Sequence, residues 1–91
     1  MPYIKKEDRE KFKKVLKEFE KIAHLGGVPL SAGNLNYLFT SLINEALKGN
    51  DPSYSRYNEI IGMLECCKLE LYRRKIAEYE ETKIKQNGDV Y

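Results

Sequence analysis

The amino-acid sequence predicts an all-α fold, a small three-helix domain with a long third helix and short extended termini. Apolar residues recur at steps of three and four along three stretches, which is the spacing of one helix face. Gly and Pro residues fall between these stretches and mark the connections. With 91 residues, the chain is short for more than one domain. We therefore expect residues 1–91 to form a single helical domain.

The first stretch predicts a helix from about Lys6 to Leu25. Gly26 and Gly27 are expected to end it, since glycine adopts the left-handed turn that follows many helices. The opposite face carries lysines and glutamates. The apolar face consists of Phe12, Val15, Leu16, Phe19, Ile22 and Ala23.

The second stretch predicts a helix from about Asn34 to Lys48. Ser31 or Gly33 could open it, and Gly49 ends it. The apolar face consists of Leu35, Leu38, Phe39, Leu42, Ile43 and Ala46.

The third stretch predicts a helix from about Pro52 to Ile84. Asp51 is the expected N-cap, since proline is tolerated in the first turn that follows a cap. Two apolar sets run along this helix, one beside the other. The main set is Tyr57, Ile60, Ile61, Leu64, Cys67 and Leu71, and the second set is Leu69, Tyr72, Ile76 and Tyr79.

The length of the third helix predicts self-association. A helix of about 30 residues is about 45 Å long, and the other two helices are about half that length. Part of its apolar surface is then left uncovered, and such surfaces usually mark contacts. We expect a homodimer in which Leu69, Ile76 and Tyr79 form the interface. Alternatively, the terminal residues Tyr3-Ile4 and Val90-Tyr91 fold back over the stripe.

A group of polar residues next to the apolar faces is a candidate polar site. Gly62 would leave room there for a ligand or a backbone. An internal network that fixes helix register is the favoured alternative, because polar groups at core edges usually pair with each other. In either case Glu65 is expected to be buried or half-buried, paired with Lys68 or with a group of the N-terminal helix. The candidate residues are Asn36, Tyr37, Asn58, Glu65, Lys68, Tyr72, Arg73 and Arg74.

Composition argues against several classes of function. The single histidine, His24, gives little support to a metal site or a Ser-His-Asp site, so we expect no metal. A core this thin leaves little room for a cofactor, and none is expected. An enzyme ranks third, behind two binding functions, because no group of residues supplies a nucleophile with a base. Cys66 and Cys67 are adjacent on one helix, which disfavours a disulfide and favours a reducing, cytoplasmic setting. No apolar run reaches the roughly 20 residues of a membrane span.

A basic run, Arg73 to Lys75, could receive phosphate groups, with tyrosines stacking on bases. The net charge is only +2, from 16 Lys and Arg against 14 Asp and Glu. Nucleic acid is therefore possible but not favoured, and a solvated charged face is the preferred interpretation.

Several blocks of the sequence resemble a family of small proteins of unknown function found in prokaryotes and their viruses. The blocks are LNY at residues 35–37, GMLECCKLELYRR at residues 62–74 and NGDVY at residues 87–91. The resemblance runs from Met1 to Tyr91 and implies no catalytic role. Asn34 and Glu78 depart from the family pattern, which has an acidic residue and a proline there.

Two functions follow as expectations. The first is a non-enzymatic helical interaction protein that self-associates or binds a partner protein. The alternative is a binding module for a phosphorylated small molecule or nucleic acid, with Lys68, Arg73, Arg74 and tyrosines as ligands.

Overall fold

The computed structural model describes residues 1–91, which are 78% helical and contain no strand. The helices are α1 (Lys13–Ala23), α2 (Ala32–Leu47) and a long helix over residues 54–87. The long helix has 34 residues, and the termini are short. The prediction of an all-α chain with a long third helix is confirmed.

The first helical stretch has two kinds of geometry. Residues Lys6–Phe12 form a 3₁₀ helix, and α1 follows it directly. The α-helix ends at Ala23, two residues before the predicted end, and a 3₁₀ turn follows over Leu25–Gly27. In that turn Gly26 has a φ of 70°, a left-handed conformation that glycine adopts without a Cβ clash.

Ser31 caps α2. Its Oγ accepts a hydrogen bond of 3.1 Å from the backbone N–H of Asn34, one of the N–H groups that no helical carbonyl can reach. The helix therefore begins at Ala32, earlier than Asn34, and the prediction that Ser31 could open it is confirmed.

The long helix consists of α3 (Tyr54–Leu71), a π segment (Tyr72–Ile76) and α4 (Ala77–Asn87). Ser53, and not Asp51, is its N-cap: Ser53 Oγ accepts a hydrogen bond of 3.2 Å from the N–H of Arg56. The prediction for Asp51 is wrong because the backbone stays extended through Ser53, with a ψ of 123°, so Pro52 lies outside the helix. The helix also runs three residues beyond Ile84.

The chain divides into two compact units. One comprises residues 3–51 with α1 and α2, and the other comprises residues 52–91 with the long helix, together with residues 1–2. No side chain in either unit is buried. That residues 1–91 act as a single domain stays a prediction. The half-buried apolar side chains are Phe19, Ala23, Leu30, Leu35, Leu38, Ile43 and Leu47 in the first unit and Ile60, Ile76 and Ala77 in the second.

None of the helices combines the length and the apolar character that crossing a lipid bilayer demands.

Candidate functional site

Open apolar helix faces are the most prominent surface feature of both units. In the first unit, Leu16 of α1 is 62% exposed although it lies on the apolar face of a strongly amphipathic helix. In the second unit, Ile61 is 66% exposed. The other large apolar side chains exposed on the helices include Phe12, Val15, Ile22, Phe39, Leu42, Tyr57, Leu64, Leu71 and Tyr79.

The C-terminal tail leaves the long helix open. Val90 and Tyr91 have no neighbours that shield them, since their exposed fractions are 90% and 113%. The alternative in which these two residues fold back over the apolar stripe is therefore wrong for this end of the chain.

The π segment changes the direction in which the residues after it point. The backbone N–H of Ala77 bonds the carbonyl of Tyr72, five residues earlier, where an α-helix would bond four residues back. Such a turn holds one residue more than an α-turn. Each residue after it is therefore rotated back by about 100° relative to an uninterrupted α-helix.

This rotation joins the two apolar sets that the sequence places side by side. On an uninterrupted helix Ile76 and Tyr79 would lie about 90° from the line through the main set, and the extra residue reduces the offset to about 10°. We call the resulting face the joined stripe. It consists of Tyr57, Ile61, Leu64, Leu71, Ile76 and Tyr79.

The same rotation separates Leu69 from its predicted interface neighbours. Leu69 precedes the π segment and keeps its direction, so its angle to Ile76 and Tyr79 grows from about 50° to about 150°. The expectation that Leu69 shares an edge with Ile76 and Tyr79 is wrong for this reason. Leu69 is 56% exposed on its own side of the helix.

Tyr72 and Glu80 are joined across the π segment. The phenol of Tyr72 donates a hydrogen bond of 2.7 Å to a carboxylate oxygen of Glu80. This hydrogen bond, the negative charge of Glu80 and partial desolvation all raise the pKa of Tyr72 above its usual value. Ile76 lies one turn from each of them and is half-buried.

Glu65 and Lys68 form the predicted ion pair, with 2.9 Å between the carboxylate oxygen and Nζ. Their side chains are 55% and 68% exposed, so the prediction that Glu65 is buried or half-buried is wrong for the chain by itself. The apolar arc that surrounds Glu65 in sequence is itself open to solvent, and water solvates the pair.

The other candidate polar residues of the long helix do not converge on a common centre within that helix. Arg73 is paired with Glu70 at 3.1 Å, and Tyr72 bonds Glu80. Asn58 and Arg74 are exposed on the same long helix. Lys68 and Arg73, two of the three cations proposed to bind phosphate, thus have carboxylate partners.

The remaining two candidates lie on α2, in the first unit. Asn36 accepts a hydrogen bond of 2.9 Å from the hydroxyl of Thr40, which is an ordinary pairing one turn apart. Tyr37 is 76% exposed. Both side chains are those of a solvated helix face.

The cysteines are free and both are exposed, although the helix pattern points Cys67 toward a core. No three His, Cys, Asp or Glu side chains group closely enough to hold a metal ion.

Sequence reasoning missed Glu80 and the π segment. The signal for the π segment was present in the apolar spacing, because Ile76 and Tyr79 each lie one residue later than the steps of three and four from Leu71 predict. Such a slip within one helix is what a single extra residue produces.

Among comparisons with known proteins, only the comparison with protein-family models gives a match. Neither the curated proteins nor the solved structures include a significant match to the chain. A family model described as a domain of unknown function, DUF6899, matches residues 1–90, and since this match spans nearly the whole sequence, the chain belongs to that family.

Proposed function

We propose that this protein is a self-associating helical interaction protein whose folded state is an assembly of identical chains. The observation that carries the proposal is the absence of any buried side chain in either unit. Hydrophobic residues make up 42% of the sequence, and burial of apolar surface is the main force that favours folding.

A second copy is the partner that the charge balance favours. A net charge of +2 on 91 residues gives little repulsion between copies. Closed two-fold dimers are the commonest arrangement of identical chains, and obligate dimers often lack a stable folded monomer. We place the contact on Ile76 and Tyr79 of the long helix. The free cysteines favour a cytoplasmic location.

Sedimentation equilibrium of the intact protein over a wide concentration range tests the proposal. We expect a mass of at least twice 10.6 kDa that is insensitive to salt, because the contacts are apolar. The thermal midpoint should rise with protein concentration, since assembly and folding are linked. A monomer that keeps its helical circular dichroism at high concentration would contradict self-association.

A pair of matched variants locates the contact. Ile76→Glu places a charge on the joined stripe and should split the assembly. Val90→Glu makes the same chemical change on the tail, where the side chain is already 90% exposed, and should leave the mass unchanged. Equal effects of the two variants would contradict a contact at Ile76.

Co-purification of a nucleotide with the protein would favour phosphate binding instead.

A further inference from the structure

We propose that Met63, Cys66 and Cys67 bind one soft monovalent metal ion, of the class of Cu(I), on the surface of α3. The three residues supply one thioether and two thiols within five consecutive positions of the helix. Thiolate and thioether ligands are typical of sites that select Cu(I). This inference goes beyond the proposed function and needs no second copy of the chain.

The spacing places the three sulfur-bearing side chains on one side of the helix. They occupy positions i, i+3 and i+4, whose side chains are neighbours on a helix surface. Viewed along the helix axis, Met63 lies between the two cysteines, about 60° from Cys66 and about 40° from Cys67. All three residues precede the π segment, so the ordinary α-helical angle applies to them.

One sulfur–sulfur contact of the proposed site is already formed. Cys67 Sγ lies 3.8 Å from Met63 Sδ. At this separation, an ion about 2.3 Å from each sulfur, a typical metal–sulfur distance, makes an S–metal–S angle of about 110°. Such an angle leaves a third coordination position for Cys66. The thiolate is the form of cysteine that binds metals, so each thiol releases its proton to solvent when the ion binds.

The sulfur group is open to an incoming ion. Both cysteines are exposed, and Met63 is 42% exposed. The three side chains together point about 110° away from the centre of the joined stripe. Metal binding and the proposed self-association therefore use different sides of the long helix.

The surroundings favour a soft ion over zinc. Glu70 lies one turn beyond the cysteines, but both of its carboxylate oxygens accept hydrogen bonds of 3.1 Å from Arg73. Glu70 and the two cysteines do not group closely enough to hold a metal ion. The third donor is then a thioether, which is not among the usual ligands of zinc. The expectation of no metal rests on the single histidine and does not extend to a site made of sulfur.

Competition for Cu(I) with the chromogenic chelator bicinchoninate tests the site in the intact, reduced protein without oxygen. We expect one Cu(I) per chain. Loss of an outer partner of a metal ligand already lowers affinity by about 10–100-fold. Cys66→Ser and Cys67→Ser each remove a ligand itself, so each should lower the affinity by at least about 100-fold. Met63→Leu keeps the size of the side chain and removes a neutral, weaker ligand, so we expect a loss of about tenfold.

Glu70→Gln is the matched control. It removes the nearby carboxylate, keeps the size of the side chain and should leave the affinity for Cu(I) unchanged. X-ray absorption at the copper K edge counts the sulfur neighbours of the ion directly. We expect three sulfurs in the unaltered protein and in Glu70→Gln, and one fewer in Met63→Leu. Far-UV circular dichroism at the same concentrations checks that each variant keeps its helix content.

A reduced protein that does not hold one Cu(I) per chain against the chelator would overturn the inference. Half an ion per chain would also overturn it, because the ion would then be shared between two copies. If Met63→Leu or Cys66→Ser binds Cu(I) within about twofold of the unaltered protein, the sulfur removed is not a ligand and the three-sulfur site is wrong. The mass in solution tests the proposed function separately, so the failure of one is distinguishable from the failure of the other.

Discussion

Tyr72 and Glu80 are hydrogen-bonded at 2.7 Å although eight residues separate them. Eight residues of an α-helix end about 80° away from the starting direction, beyond easy reach of two side chains. The extra residue of the π segment reduces this angle to about 20°. The hydrogen bond is therefore a direct consequence of the π geometry.

The first prediction concerns the ionisation of Tyr72. The hydrogen bond needs the protonated phenol, and the negative charge of Glu80 opposes the phenolate, so the pKa of Tyr72 is raised above 10.0. Because the pKa of Tyr72 is higher in the folded state, its hydrogen bond with Glu80 stabilises the fold fully below pH about 10. This stabilisation is lost as the pH rises through the pKa of Tyr72 in the folded state. Ultraviolet titration of phenolate in the unaltered protein and in Tyr72→Phe isolates this group by difference.

The control for that titration is Glu80→Gln. The amide keeps the size of the side chain and removes the charge, so the Tyr72 component should titrate at lower pH than in the unaltered protein. An unchanged midpoint would contradict the pairing of Tyr72 with Glu80.

The second prediction concerns the start of the long helix. Ser53→Ala removes the acceptor for the N–H of Arg56 and should lower the free energy of unfolding by about 1 kcal/mol. Asp51→Ala should have a smaller effect, because Asp51 lies outside the cap. Urea unfolding at one fixed protein concentration measures both. A larger loss for Asp51→Ala would restore Asp51 as the cap.

The third prediction concerns Glu65. Its ion pair with Lys68 is more than half exposed, so Glu65→Ala should change the free energy of unfolding by no more than about 0.5 kcal/mol. The same urea experiment measures it. A loss near 3 kcal/mol would place Glu65 in a buried interface of the assembly, with Lys68 left unpaired there.

The fourth prediction concerns Gly62, which lies inside α3. A Cβ at this position would meet no atom within 4 Å, and the residue points about 160° away from the centre of the joined stripe. Gly62→Ala should therefore raise the free energy of unfolding by about 0.5–1 kcal/mol and leave the association constant unchanged. Weakened association would show that a backbone or side chain approaches Gly62 closely.

Much of the helical architecture could be predicted from local signals. The apolar period located three helices, and Ser31 and the glycines marked ends correctly, because caps and breaks act on neighbouring residues. The prediction that Asp51 is the N-cap was wrong because two residues that can cap a helix, Asp51 and Ser53, lie two residues apart. Which one caps the helix depends on where Pro52 sits relative to the first turn.

The candidate polar site was less predictable. The burial of Glu65 was inferred from the apolar residues on either side of it around the long helix. Such a pattern shows only which side chains favour burial. Whether anything covers them depends on contacts distant in sequence or on another chain. The π segment was missed because helix periodicity assumes one constant angle per residue, so the one-residue slip between Leu71 and Ile76 was interpreted as two separate stripes.

The absence of a buried side chain in either unit has a consequence for how the protein folds. Helices held by local contacts form in about a microsecond, so the intramolecular steps are fast. On the proposed function, the slow step is the encounter between chains, and its rate increases with concentration. Refolding should then be second order, and dilution at an early stage should halt the reaction at a population of partly formed helices.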